Sequence, residues 1–250
     1  MKINAIMVAL LHIPAEHKET YNRWYDLDHL PEHISKGDVL MGRRYAATVP
    51  VRSAPGVVAS ELTDGHPSYA TIYWFGGPLD FESEEARSGW LVKDKFITKA
   101  GRYWRAGVVP YSAGWRLARA RARRSIRIDE EAITYLPHRG MILILGKARS
   151  AAERADALAW WRDSQEDDLL DLPGVLAVLE FSPGEGVGDD QILHIVLCED
   201  SPVEVMAALE QSRTLQQLTG RFPAHKGVYE QLALLPYQSI VPLDYSFDME

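Results

Sequence analysis

The fold of this chain is decided by the stretch WYDLDHLPEH, residues 24–33, because part of it returns 136 positions later. The second copy begins at Trp160 and reads WWRDSQ. In this register Trp24 falls on Trp160 and His29 falls on Gln165. A repeat that keeps its aromatic positions but loses its histidines indicates one scaffold used twice, with chemistry left in the first copy.

Composition and charge restrict the class of protein. The chain has 250 residues, enough for one large domain or for two of about 120 residues. Hydrophobic residues make up 46% and charged residues 25%, the mix of an ordinary globular protein, and the net charge of -8 argues against a general nucleic-acid binder. No apolar run approaches the roughly 18 residues of a membrane span, and the short apolar N-terminal segment lacks a cleavage site. We therefore expect a cytoplasmic protein with neither nucleic acid nor membrane as partner.

The order of predicted elements is the same in both halves. In the first half we predict strands over Ile3–Leu11, Val39–Val49, Tyr69–Phe75 and from Gly107 to about Arg121, with helices from about Pro14 and over Phe81–Tyr103. In the second half we predict strands over Met141–Lys147, Val175–Phe181, Gln191–Cys198 and Gly227–Leu235, with helices over Ala151–Leu170 and Pro202–Leu218. The pattern β-α-β-β-α-β, found twice, is the ferredoxin-like unit. The predicted fold is α+β, with ferredoxin-like repeats at 1–124 and 136–240 that form an α/β barrel within one chain.

Two insertions stand outside this pattern. Residues 50–68 are rich in glycine and proline, which favours a loop or a lid. The segment 116–127 joins the halves and carries Arg119, Arg121 and Arg123 in strict alternation. Either the arginines form one solvated strand face, or they form a guanidinium patch for an anionic substrate or partner.

The first-repeat pattern Trp-Tyr-Asp-x-x-His-Leu-Pro-Glu at residues 24–32, followed by Val39-Leu40 and Arg43-Arg44-Tyr45, resembles the dimeric α/β-barrel superfamily, in particular its EthD-like branch. In the second copy the passage Pro-Gly-Val-Leu at residues 173–176 fits the family pattern, but the histidine is missing. The resemblance implies that two units pack sheet against sheet, usually across a dimer interface. Here both units lie in one chain, so closure within the chain is predicted and closure across a homodimer is the alternative. The family includes cofactor-independent monooxygenases, polyketide cyclases, muconolactone isomerases and haem enzymes, so the fold alone does not choose the chemistry.

His29 and His33 are the main candidates for chemistry. They lie four residues apart, and Asp26 lies three residues before His29, so on a continuous helix the three share one face. In the first interpretation His29 is a general acid or base whose tautomer is set by Asp26 or Asp28. In the second, two histidines and a carboxylate bind a metal, although Pro31 interrupts the helix and spacing shows no third ligand. In the third, the histidines are structural, which we favour for His33.

Aromatic and basic residues supply the predicted substrate pocket. Tyr73 and Trp74 are neighbours on a strand, so one faces the barrel interior and the other the helices. The inward residue would line a cavity, and Tyr73 could donate a proton. Inward arginines would bind a carboxylate or an enolate, and His194 is either a buried core histidine or faces the same interior. The predicted substrate-binding residues are Trp24, Tyr25, His33, Arg43, Arg44, Tyr45, Trp74 and His194, and the alternative for the tryptophans and Tyr25 is core packing.

Motifs for nucleotides, zinc or a nucleophilic serine are missing from the sequence, so we expect no cofactor and no metal. We predict an enzyme that acts on a small aromatic or polyketide-like metabolite, with His29, Asp26 and Tyr73 as its catalytic residues. Proton transfer by His29 would drive isomerisation, cyclisation or elimination, which needs a positioned base, an oxyanion partner and exclusion of water. A cofactor-free monooxygenase of a phenolic substrate is the nearest alternative, and a non-catalytic binding protein for a hydrophobic metabolite is the alternative from another class.

Overall fold

Eight antiparallel strands form a closed barrel. The computed structural model describes residues 2–35, 39–76, 106–184, 187–218 and 227–246, so the helix predicted over Phe81–Tyr103 lies outside the described residues. The strands are β1 (Ala5–His12), β2 (Val39–Ala46), β3 (Tyr69–Phe75), β4 (Val108–Ala122), β5 (Gly140–Ala148), β6 (Val175–Pro183), β7 (Gln191–Cys198) and β8 (Tyr229–Ser239). The first four lie within the predicted repeat 1–124 and the last four within 136–240.

Each half contributes four neighbouring strands to the barrel. Their order is β4-β1-β3-β2 in the first half and β8-β5-β7-β6 in the second, which is the same arrangement of a split β-α-β unit. The halves join where Tyr45 and Ala46 of β2 pair with the end of β8, and along a longer ladder between β4 and β6. The barrel therefore closes within one chain, as predicted, and needs no second chain for its completion.

The helices pack on the outside of this barrel. Helix α1 covers residues 15–35 and consists of a 3-10 turn Ala15–His17, an α-helical part Lys18–Trp24, a π-helical turn Tyr25–His29 and an α-helical end Leu30–Ser35. Short helices α2 (Val49–Arg52) and α3 (Glu130–Ile133) follow. Helix α4 covers residues 151–170 and has the same composition: Ala151–Glu153, Arg154–Trp161, a π-helical turn Arg162–Glu166 and Asp167–Leu170; α5 is Pro202–Leu218. Helices with π-helical turns are rare, and such turns occur frequently at functional sites.

The barrel interior is a packed apolar core. Ile6, Val8 and Leu10 of β1 face it, together with Trp74 and Trp115, and all five are fully buried. The second half adds Met141, Leu143, Leu145, Leu193, Ile195 and Leu235. Full burial of one such aliphatic side chain contributes about 1.5–3 kcal/mol, so this core is the main stabilising element of the closed barrel. Large side chains thus occupy the space where the sequence places a substrate cavity.

The two insertions both contact the second half. In the loop 50–68, Val58 exchanges backbone hydrogen bonds of 3.1 and 2.8 Å with Leu234 of β8. The carbonyl oxygen of Asp64 in the same loop lies 2.8 Å from Nε2 of His12 at the end of β1, so the segment contacts both halves. Arg119 and Arg121 of β4 lie 3.2 and 2.5 Å from Oε2 of Glu166. The alternating arginines are therefore ion-paired across the joint between the halves, which differs from both interpretations of the sequence. Within the described ranges, no helix combines the length and the apolar character needed to cross a bilayer.

A candidate active site on the helical face of the barrel

A cavity of about 260 Å³ lies between α1 and the outer face of the first-half sheet. Its wall is mostly apolar and aromatic, with two imidazoles and a serine hydroxyl, which is the usual composition of a small-molecule site. We call it the first cavity. The described residues that line it are Met7, Ala9, Leu11, Ile13, Tyr21, Trp24, Tyr25, His29, His33, Tyr73, Gly107, Val109 and Ser112.

The alternation of β3 explains why the cavity lies outside the barrel. Tyr69, Tyr73 and Phe75 belong to the apolar cluster under α1, whereas Trp74 belongs to the cluster inside the barrel. Tyr73 therefore reaches the first cavity. The fully buried Trp74, predicted as a substrate-binding residue, lies on the opposite face of the sheet and does not line it.

Both histidines of the opening motif lie side by side on the cavity wall. The rings of His29 and His33 meet edge to face with 4.4 Å between their centroids. His29 also stacks on Trp24 at 4.5 Å and meets Tyr25 edge to face at 4.8 Å, while His33 lies 5.3 Å from the Tyr73 ring. The two imidazoles are only 9% and 6% exposed, so this aromatic cluster holds them in a water-poor environment.

The π-helical turn brings these side chains onto one side of α1. In a regular α-helix, residues 24 and 33 would point in nearly opposite directions, because each residue turns the chain by about 100°. A π-helical turn is wider, so each of its residues rotates the chain by less. The turn at Tyr25–His29 therefore narrows the angular spread of Trp24, Tyr25, His29 and His33 and lets all four reach the cavity.

Two tyrosine hydroxyls form the second polar feature of the site. The hydroxyls of Tyr25 and Tyr73 are in direct hydrogen-bond contact. Burial raises the pKa of Tyr73 well above its ordinary value, and the neighbouring Tyr25 raises it further. Tyr73 therefore remains protonated near neutral pH. One hydroxyl of the pair donates to the other, and the accepting hydroxyl can donate its own proton to a third group.

Asp26 does not orient His29. One carboxylate oxygen accepts a hydrogen bond of 2.6 Å from Arg44, and the other accepts hydrogen bonds of 3.1 Å from the backbone N of Leu243 and 2.6 Å from the hydroxyl of Tyr245. The side chains of Asp26 and Arg44 are 4% and 3% exposed. The aspartate thus anchors α1 to β2 and to the C-terminal segment, and its predicted catalytic role has no support in this geometry.

Arg44 lies behind the cavity wall and does not line the cavity. Its guanidinium carbon lies 4.4 Å from the centre of the Tyr25 ring and 5.5 Å from that of Tyr21. Cations over aromatic faces are attracted by the ring quadrupole, so Arg44 holds both rings from outside the cavity lining. It is therefore a positioning residue.

Arg43 and Tyr45 lie on the other face of β2. The Nη1 of Arg43 donates to Nδ1 of His138 at 2.6 Å and to the carbonyl of Leu136 at 3.0 Å, and the Tyr45 hydroxyl lies 2.8 Å from Nε2 of His138. Burial, and then the charge of Arg43, lower the pKa of His138 to about 4, so this imidazole is neutral at physiological pH. These contacts place both predicted substrate-binding residues away from the first cavity.

His194 is a buried histidine of the second half. It lies fully buried on the helix side of β7 and stacks on Trp161 with 3.5 Å between the ring centroids. Its Nε2 lies 3.8 Å from Oε2 of Glu180. Burial lowers the pKa of His194 in spite of this carboxylate. The residue contacts neither the barrel interior nor the first cavity. Of the two interpretations of His194 made from the sequence, this position agrees with a buried core histidine and not with a residue that faces the interior.

A second cavity of about 510 Å³ occupies the corresponding place in the second half. From α4 it is lined by Trp160, Trp161, Gln165 and Leu169, which lie 136 residues after Trp24, Tyr25, His29 and His33. The register read from the sequence therefore matches the two cavities position by position. Among the described residues of this second cavity neither imidazole has a counterpart of the same type.

The structure brings together five of the predicted site residues: Trp24, Tyr25, His29, His33 and Tyr73. It separates from them Asp26, Arg43, Arg44, Tyr45, Trp74 and His194. Sequence reasoning missed Tyr21 and Ser112. Tyr21 lies one helical turn before Tyr25, so the helical period could have indicated it, whereas Ser112 reaches the cavity through the pairing of β4 with β1, where it lies opposite Ala9. Within the part of the chain that the structure describes, no cluster of three or more His, Cys, Asp or Glu could hold a metal ion.

Comparison with known proteins gives the fold. No family model and no curated protein matches the chain by sequence. Among solved structures, a dye-decolorizing protein from V. cholerae is 9% identical with a TM-score of 0.57, covering 98% of this chain and 95% of its own. A protein assigned as a Dyp-type peroxidase from Shewanella oneidensis is 7% identical with a TM-score of 0.54, covering 96% and 94%. A protein assigned as a chlorite dismutase is 11% identical with a TM-score of 0.53, covering 97% and 96%. At these identities the similarity shows a shared ferredoxin-like α+β barrel fold and nothing finer.

Proposed function

We propose that this protein is a cofactor-independent enzyme in which His29 transfers a proton on a small aromatic or polyketide-like metabolite bound in the first cavity. One observation carries the proposal. Two imidazoles and a pair of tyrosine hydroxyls converge on one buried, aromatic cavity, although they come from two separate elements, α1 and β3. The fold is shared with proteins named as a peroxidase and a chlorite dismutase, which supports a catalytic use of the scaffold in general.

The cavity wall selects a flat, largely apolar substrate. Trp24 and Tyr21 present aromatic surface, and Met7, Ala9 and Leu11 close the side formed by β1. Offset or edge-to-face contact with such rings favours an aromatic ligand beyond the burial of its area. A substrate of one or two rings with a ketone or phenol oxygen has the shape and polarity that this wall complements.

The chemistry follows from the two polar features. His29 removes a proton either from a phenol, which leaves the electron pair on the phenolate oxygen, or from a carbon next to a carbonyl, in which case the electron pair of the broken C–H bond moves onto the carbonyl oxygen. A hydroxyl of the Tyr25–Tyr73 pair donates to that oxygen, since Tyr73 stays protonated. Return of the proton from His29 to another carbon completes an isomerisation, while departure of a leaving group completes an elimination. Burial of the imidazole strengthens each of these interactions.

We infer that the halves arose by duplication of an EthD-like unit. The corresponding π-helical turns of α1 and α4 and the 136-residue register between the cavities support this. Loss of the histidine positions in the second copy leaves proton transfer to the first.

Substitution of His29→Gln tests the function, because glutamine stands at the corresponding position of the second copy and is accommodated there. The probes are enolisable bicyclic ketones and phenols, beginning with 2-tetralone and 1-naphthol. For the ketone, NMR follows the exchange of α-protons with D₂O, and titration of the same ligand gives its affinity. We expect the exchange rate to fall by roughly 10²- to 10⁴-fold, the usual contribution of a general base, with little change in affinity. Gln165→Ala in the second cavity is the matched control and leaves the exchange rate unchanged.

The other outcomes separate the alternatives. If only ligand affinity changes in the His29→Gln variant, the protein is a binding protein. If 1-naphthol drives uptake of oxygen that depends on His29, the cofactor-free monooxygenase replaces the isomerase or lyase. If the wild-type protein neither binds nor turns over any ligand of the panel, the assignment of an aromatic substrate is wrong.

A further inference from the structure

The second cavity contains a guanidinium, which is not found among the described lining residues of the first cavity. Between α4, α5 and β8, about 510 Å³ of space is enclosed by aromatic, amide and charged side chains. The described residues that line it beyond α4 are Ile144, Glu210, Arg213, Thr214, Gly227, Tyr229, Glu230 and Gln231. Since no imidazole lies among them, the site supports binding better than proton transfer.

Among the described residues, the guanidinium of Arg213 has hydrogen-bond partners for only some of its N–H groups. Its Nη2 donates to Oε1 of Gln231 at 3.0 Å, and its Nε is buried without a hydrogen-bond acceptor among the described residues. Burial lowers the pKa of Arg213, which means that the surrounding groups compensate its charge only in part. Glu210 lies on the same wall and opposes this shift, but within the described chain it does not come within ion-pair distance of Arg213. A buried guanidinium whose charge is compensated only in part favours the binding of an anion.

An aromatic wall lies beside this guanidinium. The rings of Trp160 and Tyr229 stack with 5.6 Å between their centroids and 29° between their planes. The hydroxyl of Tyr229 is buried, again without a hydrogen-bond partner in the described part of the chain. It fits above Gly146, where a Cβ atom would come within 2.2 Å of it. The cavity therefore offers flat aromatic surface next to the Arg213 guanidinium.

We propose that the second cavity is a binding site for a small aromatic monocarboxylate, with the ring against Trp160 and the carboxylate on Arg213. The planar guanidinium matches a carboxylate with two parallel N–H donors, which a neutral ligand cannot use in this way. Glu210 and Glu230 on the same wall disfavour a ligand with a second negative charge. This ligand site is separate from the first cavity and does not depend on the catalytic role of His29.

The test is calorimetric titration of the full chain with 1-naphthoate and with its neutral analogue 1-naphthamide. We expect the wild-type protein to bind naphthoate and to bind the amide much more weakly. Arg213→Met should weaken naphthoate binding by roughly 10- to 100-fold, as expected for loss of a charged hydrogen-bonding pair, and Arg213→Lys should restore only part of it. Trp160→Leu provides an independent variant that alters the aromatic wall and should also weaken binding, should the arginine variants fail to fold.

His29→Gln is the control that separates the two cavities, and it should leave naphthoate binding unchanged. The proposal is overturned if naphthoate does not bind the wild-type protein, if the amide binds equally well, or if Arg213→Met and Trp160→Leu fold but bind naphthoate normally. Loss of binding in His29→Gln alone would place the ligand in the first cavity and would likewise overturn it. Failure of proton exchange in the first cavity, by contrast, would leave this result untouched.

Discussion

The two halves of the barrel hold their first helix to the sheet with ion pairs of opposite sense. In the first half Asp26 of α1 pairs with Arg44 of β2 at 2.6 Å. In the second half, 136 residues later at both positions, Arg162 of α4 pairs with Glu180 of β6 at 2.5 Å. The place of the pair is kept while its charges are exchanged. A charged link between helix and strand is therefore present at this point in both halves, with either sign.

The cavities differ in the same manner. Trp24 and Trp160 occupy corresponding places, but the imidazole of His29 faces the first cavity where the amide of Gln165 faces the second. A guanidinium, Arg213, is found only in the lining of the second among the described residues. One architecture therefore offers two sites of unlike chemistry, with proton transfer proposed for the first and anion binding for the second.

The largest effect on stability is expected from breaking the first-half pair. Arg44→Met removes one partner of a pair that is almost fully buried and leaves Asp26 uncompensated, which should cost about 3–5 kcal/mol in the free energy of unfolding. Urea denaturation at neutral pH measures it. The double exchange Asp26→Arg with Arg44→Glu copies the second-half arrangement and should recover part of this loss. Recovery is incomplete because Tyr245 and Leu243 also donate to Asp26. If the double variant is no more stable than the single one, the two pairs are not equivalent.

A smaller effect, dependent on pH, is expected in the second half. Burial alone would raise the pKa of Glu180, but two hydrogen bonds from Arg162, helped by the His194 imidazole 3.8 Å away, bring it from its ordinary 4.5 to about 2. Because the folded pKa is the lower one, this carboxylate stabilises the fold above pH 4.5, and the contribution is lost as the pH falls through 2. Glu180→Gln should lower the free energy of unfolding by about 2 kcal/mol at pH 6, and the two proteins should converge toward pH 2.

The same titration contains its own control. Burial and Arg43 lower the pKa of His138 from 6.5 to about 4, so both proteins should lose stability in common as the pH falls from 6.5 to 4. This common loss cancels in the difference between their denaturation curves, and the decrease of that difference between pH 4.5 and 2 reports on the titration of Glu180. A difference that stays constant down to pH 2 would show that Glu180 titrates normally in the folded protein.

The smallest effect is expected at the joint between the halves. Arg119 is 34% exposed and shares the Glu166 carboxylate with Arg121, which is closer. Arg119→Ala should therefore cost only about 0.5 kcal/mol, the range of exposed ion pairs. Thermal or urea unfolding measures it, with Arg119→Lys as the variant that keeps the charge. A loss of several kcal/mol in the free energy of unfolding would mean that the alternating arginines of β4, and not the apolar interior, hold the halves together.

The element order was predictable because it rests on local patterns. Hydrophobic alternation and helical periodicity located all eight described strands, and errors were confined to ends. Strand β2 stops at Ala46, before the predicted Val49, because a short helix begins at Val49 with Pro50 in its first turn. Strand β8 continues to Ser239, beyond the predicted Leu235, because its end pairs with Tyr45 and Ala46. A pairing partner so distant along the chain leaves no local signal.

The candidate site was predictable only in part. Helical spacing indicated that His29 and His33 share a face, and both line the first cavity. The same spacing placed Asp26 beside His29, but the carboxylate instead accepts hydrogen bonds from Arg44 and from Tyr245 of the C-terminal segment. Those partners lie 18 and 219 residues away, beyond the reach of any rule of spacing.

The sequence by itself determined the order of the strands, the 136-residue register between Trp24 and Trp160 and the difference between His29 and Gln165, because these depend on residue identity and on periods of two and 3.6 residues. The tertiary structure alone decided which face of the sheet carries the site. A period of two makes Tyr73 and Trp74 face opposite ways, but it does not say which of them faces the barrel core. Closure of the barrel settled this by filling the interior with Trp74, Trp115 and aliphatic side chains, so the cavity and its histidines lie on the helical face.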